Sequence, residues 1–320
     1  MLDSYGREIS YMRISVTDRC NLRCRYCMPE GIDLIPMENI LTYEEIVLIA
    51  EAAVMLGITR FKITGGEPLI RKGVTNLIGM LKSIDGLKEV TLTTNGLLLP
   101  QYARELKDVG IDGINVSLDS LNPDTYEKIT GSASLDKVLS GIDACLKYGI
   151  KTKVNSVVLK DIPIGNYIDI AKLAKDKKVD VRFIEVMPIG SGAGFESLSC
   201  NEIIQELGNR YPGMTEDNSC HGNGPAKYYN LPGFKGDIGI INSVHDKFCD
   251  SCNRIRLTST GELKPCLCYG DTVSLMPALR AGDGNLTDAI KKAVLGKPCG
   301  HDFAVRENIS ESRSMSQIGG

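Results

Sequence analysis

From residue 11 to about residue 187 the chain alternates short runs rich in β-branched and apolar residues with longer runs of helical periodicity. Six strand candidates fall at 12–16, 61–64, 90–94, 114–118, 153–158 and 181–186. Helical stretches separate them, among them 125–129 with 135–146, and 167–175. Thr42 with Glu45 three residues on reads as a capping box. The helix it opens sets Ile46, Ile49, Ala50 and Ala53 on one face and stops at Gly57. Strands joined by crossover helices predict right-handed βαβ units in a parallel sheet. Six such units are too few to close an eight-stranded barrel. The pattern therefore predicts an α/β partial barrel of six (β/α) units with an open side, in preference to a doubly wound open sheet.

After Pro188 the pattern loosens. Residues 189–194 are Gly-rich, and 211–232 are dense in Gly, Pro and Asn. A division into 1–228 and 229–320 follows, the second part too loop-rich to stand alone and expected to pack against the first. Hydrophobic content of 42% and charged content of 24% suit a chain that buries a sizeable core. A net charge of −3 gives no basic field to attract nucleic acid or a membrane surface. The polar N-terminus and the lack of any long apolar run argue against a secretory signal or a membrane span. Eleven cysteines then imply a reducing, cytoplasmic setting and metal ligation rather than disulfides.

The cysteines fall into two groups. Cys20, Cys24 and Cys27 lie just after the first strand at C-x-x-x-C-x-x-C spacing, with Tyr26 before the third. Four thiolates complete a zinc site or a cubane. Three on one loop fit a 4Fe–4S cluster that leaves one iron open to a substrate or cofactor, with structural zinc or a chance grouping as the alternatives. The second group is Cys249, Cys252 and Cys266, with Cys268 two positions further on; a structural zinc is a serious alternative there too. Arg254 and Arg256 follow Cys252 and would share one face of a strand, a fork suited to phosphate oxygens. In parallel α/β folds, sites form at the carboxyl ends of strands. Thr64-Gly65-Gly66-Glu67-Pro68 stands at one such end, where paired glycines would admit a ligand and leave amides free for it. Thr93, Ser117, Lys153 and Arg182 stand on or at the ends of other strands.

Taken together, the strings Arg13-Ile-Ser-Val-Thr-Asp-Arg-Cys20, Thr-Gly-Gly-Glu-Pro, Gly113-Ile-Asn-Val-Ser-Leu-Asp-Ser-Leu121, Arg182-Phe-Ile-Glu, Gly224-Pro-Ala-Lys-Tyr-Tyr229, Phe248-Cys-x-x-Cys-Asn-Arg-x-Arg-Leu257 and Gly319-Gly320 span nearly the whole chain. In combination they resemble the GTP 3′,8-cyclase family of radical S-adenosylmethionine (SAM) enzymes, which opens molybdenum cofactor biosynthesis. The resemblance implies a partial barrel whose open side is closed by a C-terminal cluster-binding extension. It implies one 4Fe–4S cluster on Cys20, Cys24 and Cys27, and a second on Cys249, Cys252 and Cys266 that binds the guanine base. SAM would be contacted by Tyr26, Gly66, Glu67, Ser117 and Met187. GTP would be surrounded by Arg13, Lys62, Thr93, Lys153, Arg182, Arg254, Ile255 and Arg256. The tail would enter the barrel and set Gly319 and Gly320, with Arg254 and Arg256, beside the reacting groups.

One electron into the first cluster would cleave SAM to methionine and a 5′-deoxyadenosyl radical. That radical would take hydrogen from ribose carbon 3′, and the sugar radical would close onto guanine carbon 8. The implied partners are an external one-electron donor, a downstream pyranopterin monophosphate synthase and a second copy of the chain in a homodimer. Two departures from the family pattern stand out: Lys62 where arginine is common, and the extra thiol of Cys268. Cys145, Cys200, Cys220 and Cys299 match no ligand position. Another radical SAM enzyme with an auxiliary cluster, such as a peptide maturase, would usually carry more C-terminal cysteines. A non-enzymatic metal or electron-transfer module would leave the glycine loop and the basic lining without a purpose.

Overall fold

Residues two apart on a strand share a face, and in this chain the two faces differ sharply. Met12, Ile14, Phe61, Ile63, Val90, Leu92, Val154, Val181 and Phe183 are fully buried. Between them stand Arg13, Lys62, Thr91, Thr93, Lys153, Asn155 and Arg182, which line a cavity. The apolar set packs against helices in one continuous core. Burying each such side chain contributes about 1.5–3 kcal/mol relative to exposure. Parallel strands are commonly apolar on both faces; here the inner face is polar because it surrounds a site.

The computed structural model describes residues 1–29, 33–281 and 285–319. Its strands are β1 (Tyr11–Ser15), β2 (Arg60–Thr64), β3 (Glu89–Thr94), β4 (Gly113–Ser117), β5 (Thr152–Val158), β6 (Asp180–Glu185), β7 (Thr215–Asp217), β8 (Lys227–Asn230), β9 (Ile238–Ile241), β10 (Arg254–Leu257), β11 (Glu262–Lys264) and β12 (Val273–Ser274). Helices α1 (Tyr43–Met55), α2 (Val74–Lys82), α3 (Leu99–Asp108), α4 (Pro123–Thr130), α5 (Leu135–Lys147) and α6 (Ile164–Asp176) connect the first six strands. They are followed by α7 (Cys200–Arg210), α8 (Met276–Ala281), α9 (Leu286–Leu295) and α10 (Met315–Ile318). No helix among the described residues is long and apolar enough to cross a membrane.

One sheet runs β12-β11-β10-β1-β2-β3-β4-β5-β6-β9-β8-β7 and does not close on itself. The six expected strands and the helices that cross between them are present in sequence order. Two features differ from expectation. Strands β10 and β9 add in parallel to the outer edges of β1 and β6, so eight parallel strands are contiguous. The C-terminal region thus joins both edges of the sheet by backbone hydrogen bonds instead of only packing against it. Bare parallel edges carry unpaired N–H and C=O groups, and these strands satisfy them.

Helix α1 starts where its sequence signals. Thr42 accepts from the Glu45 amide, the Glu45 carboxylate accepts from the Thr42 amide, and Ile46, Ile49, Ala50 and Ala53 are buried. Thr42→Ala removes this box and is expected to cost about 1 kcal/mol. Urea unfolding of the variant against the parent measures the loss.

Candidate active site

The loop after β1 carries the first cysteine triplet, and α4 pins it down. Arg23 N donates to Thr130 O at 2.9 Å and Arg25 N to Ile129 O at 3.0 Å. Arg25 also forms a bidentate pair with Asp161, both bonds 2.7 Å. The amides of Cys27 and Met28 donate to Cys24 O. Tyr26 Oη donates to Asp119 Oδ2 at 2.7 Å, while Asp119 Oδ1 accepts from Val157 N at 2.8 Å. Burial holds the Asp119 carboxyl up at about 6. The Cys27 thiol is pushed up to about 12, first by burial and then by the Cys20 thiol and Asp119. Cys24 rises for the same leading reason. Such thiols stay protonated until a metal displaces the proton.

The Gly-Gly string serves this loop directly. Gly66 N donates to Thr17 O and Glu67 N to Arg19 O, both at 2.7 Å. A Cβ on Gly66 would stand 2.2 Å from Arg19 O, and one on Gly65 would stand 2.5 Å from Thr17 O. The amides of Gly66 and Glu67 are therefore not free for a ligand, contrary to the sequence expectation; the glycines let two backbones touch. The Glu67 carboxylate accepts from Leu69 N, Thr94 Oγ1 and Asn95 N. That leaves roughly one of its four lone-pair sites for a ligand ammonium. Burial raises its pKa to about 7.

A cavity of about 320 Å³ occupies the inner face of the sheet. Its lining holds Arg13, Lys62, Lys151, Lys153, Arg182 and Arg254 against two carboxylates, Glu89 and Asp112. Thr93, Asn115, Asn155, Tyr11 and Tyr228 complete much of the wall, and residues 219–226 cover it. Strand register produces this crowding: Arg13 lies opposite both Lys62 and Arg256, and Asn155 lies opposite Arg182. Burial, then Arg182 and Arg13, press the Lys62 pKa well below its ordinary value. Lys153 is steadied by Asp180 at 2.8 Å, the His221 carbonyl at 2.6 Å and Tyr228 Oη at 2.9 Å. Arg182 Nε donates to Asn155 Oδ1 at 2.9 Å. Arg254 lies over the Phe248 ring. Arg254 Nε and Thr93 Oγ1 are buried without a hydrogen bond among the described residues. A wall of this kind suits a polyanion.

Arg256 turns elsewhere. Its Nη1 donates to Gly319 O at 2.6 Å, and it is not in the cavity lining. Gly319 has φ +77°, and a Cβ there would meet Ser15 Cβ and Thr64 Oγ1 at 3.1 Å. The tail thus reaches the ends of β1 and β2, with Ile318 fully buried beside Ile189, Leu267, Cys268 and Phe303. Gly320 lies outside the described residues. In the second triplet, Cys249 Sγ accepts from the His301 amide at 3.3 Å. Cys252 precedes β10, Cys266 follows β11, and Cys268 is fully buried in the apolar cluster with Ile318. Cys145 and Cys200 are buried away from both triplets, while Cys220 and Cys299 are exposed.

The donor sets fit clusters better than zinc. A tetrahedral zinc with bonds near 2.3 Å keeps its sulfurs roughly 3.8 Å apart. Among the described residues, the His, Cys, Asp and Glu ligand atoms that converge within 4.8 Å in a group of three or more are those of Asp180, His221 and Asp237. Neither cysteine triplet is drawn in that tightly, as a wider cubane allows. Lysine 153 already bonds Asp180 in that acidic group. Of the residues expected to meet SAM, Tyr26, Gly66 and Glu67 share the cysteine loop or touch it; Ser117 ends β4, and Met187 follows β6 near the tail. Of those expected to meet GTP, Arg13, Lys62, Thr93, Lys153, Arg182 and Arg254 line one cavity, while Ile255 is buried on the opposite face of β10. Tyr11 was not singled out from sequence, Tyr228 appeared only within the string ending at Tyr229, and Asn155 was read with Lys153 on the fifth strand. The spacing of Tyr11 from Arg13, and of Asn155 from Lys153, was the available signal.

Residues 14–174 match the family model of the Radical SAM superfamily, and residues 179–303 match Molybdenum Cofactor Synthesis C. A protein of Alkaliphilus oremlandii (strain OhILAs) named GTP 3′,8-cyclase is 46% identical over 325 residues, covering 100% of both chains. One of the same name from Clostridium perfringens (strain 13 / Type A) is 41% identical over 323 residues, again covering 100% of both. Among solved structures, Streptococcus suis SuiB bound to S-adenosylmethionine superposes with a TM-score of 0.67 at 13% identity, over 97% of this chain and 78% of that one. At that identity the likeness is one of fold.

Gly66→Ala forces the cysteine loop off the glycine string and is expected to cost about 1–3 kcal/mol. Gly165→Ala, whose Cβ meets nothing within 4 Å, should stay within about 0.5 kcal/mol of the parent. Parallel thermal melts of the two variants check the contrast.

Proposed function

The chain belongs to the GTP 3′,8-cyclase family within the radical SAM superfamily, and on that premise we propose that it is itself a GTP 3′,8-cyclase, a lyase acting at the first step of molybdenum cofactor biosynthesis. The observation that carries this reading is the cation-lined cavity flanked by two cysteine triplets. Thr93 of its wall is two residues from Asn95, whose Nδ2 reaches Cys20 Sγ at 3.8 Å, and Arg254 is two residues from Cys252. A nucleoside triphosphate bound there would lie between the two groups of thiols.

Cys20, Cys24 and Cys27 would hold one 4Fe–4S cluster, and Cys249, Cys252 and Cys266 another. When bound, the first cluster supplies the electron that splits SAM into methionine and the 5′-deoxyadenosyl radical that takes hydrogen from ribose carbon 3′ before closure onto guanine carbon 8. The remaining work falls to the chain's own groups. Tyr26, oriented by Asp119, and Gly66, Glu67, Ser117 and Met187 receive SAM. Arg13, Lys62, Lys153, Arg182 and Arg254 hold the triphosphate, with Thr93 and the backbone near Ile255 shaping the wall. Lys62 supplies charge without a bidentate fork. The loop over residues 219–226 and the tail exclude water from the reacting centre.

Arg256 serves through Gly319, whose carbonyl it holds at the strand ends, with Gly320 following. An external one-electron donor, a pyranopterin monophosphate synthase taking the product, a homodimeric state and a cytoplasmic setting complete the proposal.

Three experiments test it. Cys→Ala at 20, 24 and 27 together should leave roughly half the iron of anaerobically purified protein and abolish SAM cleavage. Retained cleavage would sink the assignment. Charge-assisted bonds contribute roughly 1.5–3 kcal/mol each, so Arg254→Ala should weaken GTP binding by on the order of tenfold. Removal of Gly319 and Gly320 should instead abolish product formation while GTP affinity stays near that of the parent. Equal product from the shortened chain would return the tail to a packing role.

A further inference from the structure

Lys297 follows α9 and is 3% exposed. Its ammonium has three protons to place. One goes to Arg254 O at 2.9 Å and one to Pro265 O at 2.7 Å. Among the described residues no carboxylate pairs with it. A buried cation of this kind needs an anion, and thiolates binding a cluster on the adjoining segments would supply one. The two carbonyls belong to the two segments that bear the second triplet. Arg254 is two residues beyond Cys252, and Pro265 immediately precedes Cys266.

We propose that Lys297 is the positioning and charge-balancing residue of the second cluster: it ties the Cys252 and Cys266 segments together and, as a buried positive charge beside them, raises the cluster's reduction potential. A buried cation beside a cluster stabilises the more negative, reduced state, and the net charge around a cluster is a general lever on its potential. The clamp also selects Cys266 over Cys268, since the segment it grips delivers Cys266 while Cys268 is packed among Leu267, Phe303 and Ile318. Arg7 braces the opposite side of the triplet, donating to Cys249 O at 3.0 Å and Cys299 O at 2.8 Å.

The inference rests on the reading of Cys249, Cys252 and Cys266 as ligands of a second cluster. The test therefore uses the full chain with Cys20, Cys24 and Cys27 replaced by alanine, so that only this cluster is seen. Reduction is followed by electron paramagnetic resonance during a potentiometric titration. Lys297→Met should move the midpoint to a more negative potential. At the parent's midpoint its reduced-to-oxidised ratio should fall by roughly tenfold, the scale of one charge-assisted bond. Lys297→Arg should stay close to the parent. Loss of iron from Lys297→Met with retention in Lys297→Arg would also support the role, as a requirement for charge. Unchanged potential with full iron in Lys297→Met would overturn it, as would equal loss of iron from both variants. Absence of iron from the parent of the series would overturn the second cluster itself, a different failure.

Discussion

Like charges repel, and the inner face of this sheet gathers six of them around about 320 Å³ with only two carboxylates among the lining residues. The rest of the structure depends on that constraint. Burial, then Arg182 and Arg13, depress the Lys62 pKa, and Glu89 in the same lining offsets them only in part. The fold supplies the force that keeps them there. Each cation is flanked along its own strand by residues such as Met12, Ile14, Phe61, Ile63, Val181 and Phe183, fully buried against the helices. The register of parallel strands then converts a pattern of single residues into a row, because Arg256, Arg13 and Lys62 are neighbours across three strands. A polyanion entering the cavity cancels a repulsion already built in, so affinity and stability are linked.

The same economy governs the two thiol groups. Each is held by backbone from elsewhere in the chain. The first is fastened to the end of α4 and to the glycine string, the second to Arg7 and Lys297. Buried cations that bond carbonyl oxygens recur at the second site and not at the first. There the buried charged residues include Asp119 and Glu67, both at raised pKa through burial, while the exposed Arg23 donates to Cys20 O. The buried groups that hold the first loop are thus carboxylates, and those that hold the second are cations. Cofactors bound in them would feel different fields.

Much of this was legible beforehand, for physical reasons. Period-two alternation, strong β-branched runs and the Thr42–Glu45 box are local signals, and they placed six strands and α1 to within a residue or two. The cysteine spacings and the cationic residues at strand ends were also local. What was not legible is what register and long-range packing decide. The run Ile238-Gly-Ile-Ile could not be assigned to the edge of β6 from its own four residues. Arg256 shares a strand face with Arg254, yet register directs it to Gly319 instead of the cavity. The glycines at 65 and 66 look the same whether they face a ligand or another backbone; here they face Thr17 and Arg19. Lys297 in Gly-Lys-Pro reads as an ordinary surface lysine, and only the fold shows it buried.

The outermost strands carry a consequence for how the protein comes into being. Residue 13 finds its partner at residue 256, and β6 waits for β9 across the whole of α7, β7 and β8. As the chain leaves the ribosome, six parallel strands can pair in order while both flanks of the sheet stay open. Open flanks are templates for other chains, and distant pairing is slow. Assembly of this sheet is therefore a race between two late capping strands and intermolecular strand addition.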